Sequence, residues 1–174
     1  MKYWIILLGS FAIMKPACSQ PADSRPPVLN DEFDRELTRL LSFSVSTIGV
    51  RELKDIQDEV YIFDAREKEE YQVSHIKGAR YLGYNKFEEE GLADIPKDAK
   101  VVVYCSVGYR SEKIGERLQK MGFTDVHNLY GSIFEWVNQG YPVVDEQEKP
   151  TRKIHTYNSK WSQWVDNERV EKVW

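Results

Sequence analysis

Val101-Val102-Val103-Tyr104-Cys105-Ser106-Val107-Gly108-Tyr109-Arg110-Ser111 decides the fold. The β-branched run reads as a buried strand. It ends in a cysteine, then a short loop with a glycine and an arginine, and a helix beyond. A helix N-terminus offers free N–H groups and a partial positive charge. Both lower a thiol pKa and both hold an anion. The loop N–H groups from Ser106 to Ser111 can curl into a nest around the sulfur, and Gly108 supplies the positive φ that this needs.

Working outward, strands and helices alternate. Phe43 to Ile48 is expected as a strand, Val50 to Ile56 as a helix, and Val60 to Phe63 as a buried strand ending in Asp64. Asp64-Ala65-Arg66-Glu67 fits a capping box with Asp64 at N-cap and Glu67 at N3. A helix from Glu112 to Met121, stopped by Gly122, precedes a strand from Asp125 to Leu129 and a helix from Ile133 to Asn138. This order argues for right-handed βαβ units, a mostly parallel sheet, and a ligand site beyond the strand C-termini. Asp64, Cys105 and Tyr130 fall there.

The flanks differ in character. Lys2 and the apolar run Tyr3 to Met14 read as a signal segment, too short to span a membrane. Small residues in Ala17-Cys18-Ser19 suit cleavage before Gln20, giving a signal peptide over 1–19. A second reading lipidates Cys18, and a third leaves the segment as an uncleaved anchor. Residues 20–30 have linker composition, and 31–41 read as a helix capped by Asn30 or Asp31. Residues 145–174 form a charged extension holding Trp161, Trp164 and Trp174, of which the first two could share a helix face. Such aromatics either pack back on their own domain or bind a partner.

The 174 residues suffice for one domain with extensions, and the net charge of −4, without a basic stripe, argues against nucleic acid. Two cysteines, Cys18 and Cys105, and three dispersed histidines offer no metal motif. Cleavage after Ser19 would leave Cys105 as the chain's lone thiol.

Four motifs now stand in order: Asp64-Ala65-Arg66-Glu67-Lys68-Glu69-Glu70-Tyr71, His75-Ile76-Lys77-Gly78-Ala79, the Cys105–Ser111 loop, and Gly131-Ser132-Ile133-Phe134-Glu135-Trp136 ahead of Gly140-Tyr141-Pro142-Val143. Over residues 42–144 this resembles a single-domain rhodanese. The resemblance implies an α/β fold with a five-stranded, mostly parallel sheet flanked by helices. It also implies sulfur transfer through a cysteine persulfide, with no cofactor. Gly131-Ser132 departs from the two glycines common in the family, and Ser74 stands where a glycine commonly precedes the histidine.

On this reading Cys105 is the nucleophile and Arg110 holds an anionic donor such as thiosulfate. Ser106, Val107, Gly108, Tyr109 and Ser111 form the persulfide loop, Asp64 and Arg66 support it, and the acceptor is a thiol or cyanide. The membrane enters only through a lipid on Cys18, and export to a bacterial periplasm or cell envelope is expected. C-x4-R separates the loop from the related C-x5-R phosphatases and arsenate reductases, whose longer loop encloses a tetrahedral anion. Alternatives from other classes are a sulfur-sensing or protein-binding module without turnover and a thiol redox protein. The bland readings make Cys105 a core residue, Asp64 a helix cap, Arg66 half of an ion pair, and His75 an organiser of the turn at Gly78.

Overall fold

The computed structural model describes residues 25–174. The expected signal segment, Cys18 and the first part of the linker lie outside the described residues.

At the centre is β4 (Lys100–Tyr104), the apolar run of the deciding stretch. It is paired on one side with β5 (Asp125–Leu129) and on the other with β2 (Tyr61–Asp64). Adding β1 (Ser46–Ile48) beside β5 and β3 (Arg80–Tyr81) beside β2 gives a five-stranded parallel sheet in the order β1-β5-β4-β2-β3. Both faces of β4 are buried, as a continuous apolar run requires. Val102 and Tyr104 pack on one face, and Val101 and Val103 on the other.

The first face carries α1 (Asp31–Leu40), α2 (Val50–Ile56) and α5 (Ser132–Asn138), through Phe33, Leu37, Leu53 and Trp136. Asn30 caps α1, its Oδ1 accepting the Glu32 and Phe33 N–H groups at 2.8 and 3.0 Å. The opposite face carries α4 (Tyr109–Lys120), through Ile114 and Leu118, and a 3-10 turn at Glu89–Leu92. A Cβ on Gly115 would lie 3.0 Å from Val45 Cγ2, so glycine lets α4 approach the segment entering β1.

Three local expectations are corrected. The capping box sits three residues later than the motif suggested: Glu67 is the N-cap of α3 (Lys68–Val73) and Glu70 its N3 partner. Asp64 instead ends β2, where its carboxylate binds the Arg66 guanidinium. The same D/E-x-x-E pattern occurs twice in register, and pairing with β4 keeps Asp64 extended. Second, α4 begins at Tyr109 rather than Glu112, because Gly108 turns the chain directly into the helix at φ +118°. Third, Trp161 and Trp164 share no helix face: α6 (Ser159–Ser162) stops between them.

The extension folds back onto the domain. Strands β6 (Val143–Val144) and β7 (Pro150–Thr151) pair antiparallel, and β8 (Lys153–His155) and β9 (Glu171–Val173) pair parallel. Ile154 and Val165 are fully buried, and Trp164 stacks on Phe33 of α1 with ring centroids 5.4 Å apart. Asn138 and Asn167 tie α5 to the extension through bonds to the Trp164 and Val137 carbonyls. His75 bridges backbone-to-backbone with Val144, and its ring stacks on Tyr71 and meets Glu148 at 3.0 Å.

Candidate active site

Cys105 leaves the C-terminal end of β4 and is 1% exposed. The chain then turns through Ser106 and Val107 to Gly108, whose N–H donates to Cys105 Sγ at 3.1 Å. The left-handed φ at Gly108 aims that N–H back at the sulfur, and a side chain there would strain the turn.

Neighbouring elements hold the loop from outside. Ser132 Oγ accepts the Cys105 N–H at 3.2 Å, and the Ile133 and Phe134 N–H groups donate to the Cys105 and Ser106 carbonyls at 3.2 and 3.3 Å. The free N–H groups at the start of α5 thus secure the loop's backbone. Ser132, the departure from the family's glycine, adopts φ +54° and gives its hydroxyl to this contact. On the other side Asn128 Nδ2 donates to the Gly108 carbonyl at 3.0 Å, and its Oδ1 lies 2.7 Å from Ser111 Oγ.

Arg110 is not an open cation. Its guanidinium donates bidentately to Glu70, Nη1 to Oε2 at 2.6 Å and Nη2 to Oε1 at 2.8 Å, and Nη2 also reaches Ser106 Oγ at 3.0 Å. Glu70 is 3% exposed. Burial, the largest single influence, pushes its carboxyl up, but the Arg110 hydrogen bonds and charge, with the Arg66 charge and the Glu67 N–H, together outweigh it and hold it down to about 2. The same competition acts on Cys105. Burial raises the thiol, whereas the Arg110 charge and the donors of Ser111 and Gly108 lower it, and the net direction is down. The loop therefore favours the thiolate in a dry environment.

The Glu70 clamp gives a pH dependence with a defined sign. A carboxyl near 4.5 when unfolded and near 2 when folded stabilises the fold fully above about pH 4.5. That contribution, roughly 3 kcal/mol, is lost as pH falls toward 2. Urea unfolding of Glu70→Gln is expected to show a flatter stability profile than wild type over this window; parallel profiles would refute the clamp.

Asp64 and Arg66 lie beside Tyr104, the residue before Cys105, both fully buried, with Arg66 Nη2 2.6 Å from Asp64 Oδ2. Burial alone would lower the Arg66 pKa, but the Asp64 charge and hydrogen bonds turn it upward. Arg66 also donates to the Ser74 carbonyl, which fixes the turn ahead of His75. Neither residue lines the open cavity.

That cavity, about 450 Å³, is lined from the loop by Cys105, Ser106, Val107, Tyr109 and Arg110. The segment after β3 adds Tyr84 and Asn85, and Glu67 comes from the start of α3. Leu40, Tyr157 and Trp161 complete it from the two extensions. Gly108 and Ser111 stand behind the lining. Sequence reasoning missed Glu70, although it lies inside a quoted motif, because its partner is 40 residues away. It also missed Ser132 as a loop support and every lining residue contributed by the extensions.

A parallel α/β sheet that presents a cysteine in a C-x4-R loop, sulfur facing backbone N–H, defines a class of cysteine-loop domain. The family model for the rhodanese-like domain matches residues 49–139, just over half of the chain. The chain belongs to the rhodanese-like family. It is 37% identical over 101 residues to a probable adenylyltransferase/sulfurtransferase MoeZ of Mycobacterium tuberculosis, covering 56% of this chain and 26% of that protein. It is 34% identical over 123 residues to a tRNA uridine(34) hydroxylase of Staphylococcus aureus, covering 67% of this chain and 36% of that one. The chain thus spans about a quarter to a third of these curated relatives. Among solved structures, a rhodanese-like domain from an Anabaena protein superimposes with a TM-score of 0.53 at 21% identity, covering 57% of this chain and 78% of that one, a likeness of fold.

Proposed function

We propose that this protein is a sulfurtransferase that carries a sulfane sulfur on Cys105. The observation behind this is the Gly108 N–H donated to Cys105 Sγ in a C-x4-R loop. In the first half-reaction the Cys105 thiolate attacks the outer sulfur of a donor. A new S–S bond forms to Cys105, the donor's own S–S bond breaks, and its electron pair leaves with the donor fragment (sulfite, if the donor is thiosulfate). In the second, an acceptor thiolate or cyanide attacks that outer sulfur, and the Cys105 thiolate departs with the electron pair.

The donor reading shifts from the sequence-based one. Thiosulfate recognition rested on Arg110 as the loop's cation, and Glu70 now neutralises it. Low-molecular-weight persulfides and hydropolysulfides, which carry one negative charge where thiosulfate carries two, fit better. The test is intact mass after incubation with thiosulfate or with polysulfide. The expected result is a gain of one sulfur, faster from polysulfide, located on Cys105 by peptide mapping and removed by cyanide. No adduct from either donor would refute the reading and leave a binding module.

We further propose export to a bacterial cell envelope, on the strength of the apolar run in residues 1–19. The mature chain is expected to start at Gln20. A start at lipidated Cys18 keeps the export reading and changes the anchorage; an intact Met1 on a protein recovered from the cytoplasm refutes it.

A further inference from the structure

The cavity over Cys105 is larger than sulfur relay alone requires. A volume of about 450 Å³ lies in the range of small-molecule sites, whereas cyanide or sulfite has only a few atoms. Its wall is largely apolar: Leu40, Tyr84, Val107, Tyr109, Tyr157 and Trp161. Three of these, Leu40, Tyr157 and Trp161, lie outside residues 49–139, the part matched by the family model.

The extension places this wall by construction. Asn158 caps α6, its Oδ1 accepting the Trp161 N–H at 3.1 Å, and Trp161 packs against the main core cluster. Tyr157 takes φ +67°, a conformation costly for a tyrosine, and stays 54% exposed. That turn sets its ring beside Arg110, whose Cζ lies 5.4 Å from the ring centroid. The charge balance completes the picture. Glu67 and Arg110 are the two charged lining residues, and Arg110 is held by Glu70. A carboxylate entering here meets Glu67 and, among the described residues that line the cavity, no unpaired cation.

Resting on the sulfurtransferase reading, we infer that Leu40, Tyr157 and Trp161 form an acceptor subsite for an apolar, uncharged small thiol. The thiol loses its proton to water. Its thiolate attacks the outer sulfur of the Cys105 persulfide, the Cys105 S–S bond breaks, and the product leaves as the acceptor's persulfide. The acceptor's apolar body lies along the Tyr157 and Trp161 rings, out of water.

The test uses the full chain loaded from polysulfide, with persulfide formation on Cys105 checked first by mass. Failure at that loading step refutes the sulfurtransferase reading, whereas a comparison of acceptors on the loaded protein tests the subsite alone. The acceptors are benzyl mercaptan, 3-mercaptopropionate and cyanide, with both thiols compared per thiolate. Wild type is expected to favour benzyl mercaptan over 3-mercaptopropionate in kcat/KM by about tenfold or more. The ratio of benzyl mercaptan to cyanide is expected to fall about tenfold in Tyr157→Gly and in Trp161→Ala, mostly through KM. Glycine suits the φ at 157, so that variant remains informative if Trp161→Ala folds poorly. Equal use of the two thiols by wild type, preference for the carboxylate, or an unchanged ratio in Tyr157→Gly overturns the inference.

Discussion

Replacing Asp64 with alanine is expected to cost about 3–5 kcal/mol of stability, read as a lower urea midpoint at unchanged slope. Arg66 is fully buried, and Asp64 supplies all of its carboxylate contacts, to Nε and Nη2. Among the described residues Nη1 has no hydrogen-bond partner even with Asp64 in place. Without Asp64 the guanidinium keeps its charge, since arginine does not deprotonate in proteins, and retains the Ser74 carbonyl as acceptor. A buried charge without its counter-ion is among the costliest defects in a core. Against a typical total stability of about 5–15 kcal/mol, such a loss takes a large share. The paired variant Asp64→Leu with Arg66→Met removes both charges and should recover at least half of the loss. An unfolding free energy for Asp64→Ala within about 1 kcal/mol of wild type would show that the pair contributes little.

The second large effect concerns reactivity. Arg110→Met is expected to slow alkylation of Cys105 by iodoacetamide about tenfold or more at neutral pH, by raising the thiol pKa. Burial is the strongest influence on that thiol and acts upward, while the Arg110 charge is the leading force downward. Without it the Gly108 and Ser111 donors oppose burial alone. Glu70→Gln provides the opposite sign. It frees the Arg110 charge from its carboxylate partner, so Cys105 should react faster below neutral pH and thiosulfate should load more readily. Arg110→Met also leaves the buried Glu70 carboxylate without its partner; adding Glu70→Gln removes that charge and should raise stability without restoring the rate. A pH–rate profile for Arg110→Met that overlays wild type would refute the role given to the charge.

Much of the fold was legible because its signals are local. The run Val101–Tyr104, the glycines at 108 and 122 and the C-x4-R spacing each act within a few residues. The sheet follows from their alternation with helices. What stayed hidden is set by contacts distant in sequence. The Glu70–Arg110 clamp joins α3 to α4, so no pattern in either segment announces it. A capping-box pattern at Asp64 looked sufficient, yet strand pairing and the demand of a buried Arg66 took that carboxylate away. Trp161 and Trp164 at helical spacing suggested one shared face, but one ring lines the cavity and the other stacks on Phe33. Ser132 looked like a mild variation on glycine until its hydroxyl was placed against the Cys105 amide.

The all-parallel sheet has a consequence for the order of synthesis. Ser46 must await His127 to pair, the Cys105 amide awaits Ser132, and the wall over the sulfur awaits Tyr157 and Trp161. On the ribosome the cysteine therefore emerges naked, with the reactivity of any unfolded thiol and none of its later shielding. Such long-range closure is slow. Until the residues beyond 145 join the fold, the cavity over the sulfur lacks the Tyr157 and Trp161 part of its wall.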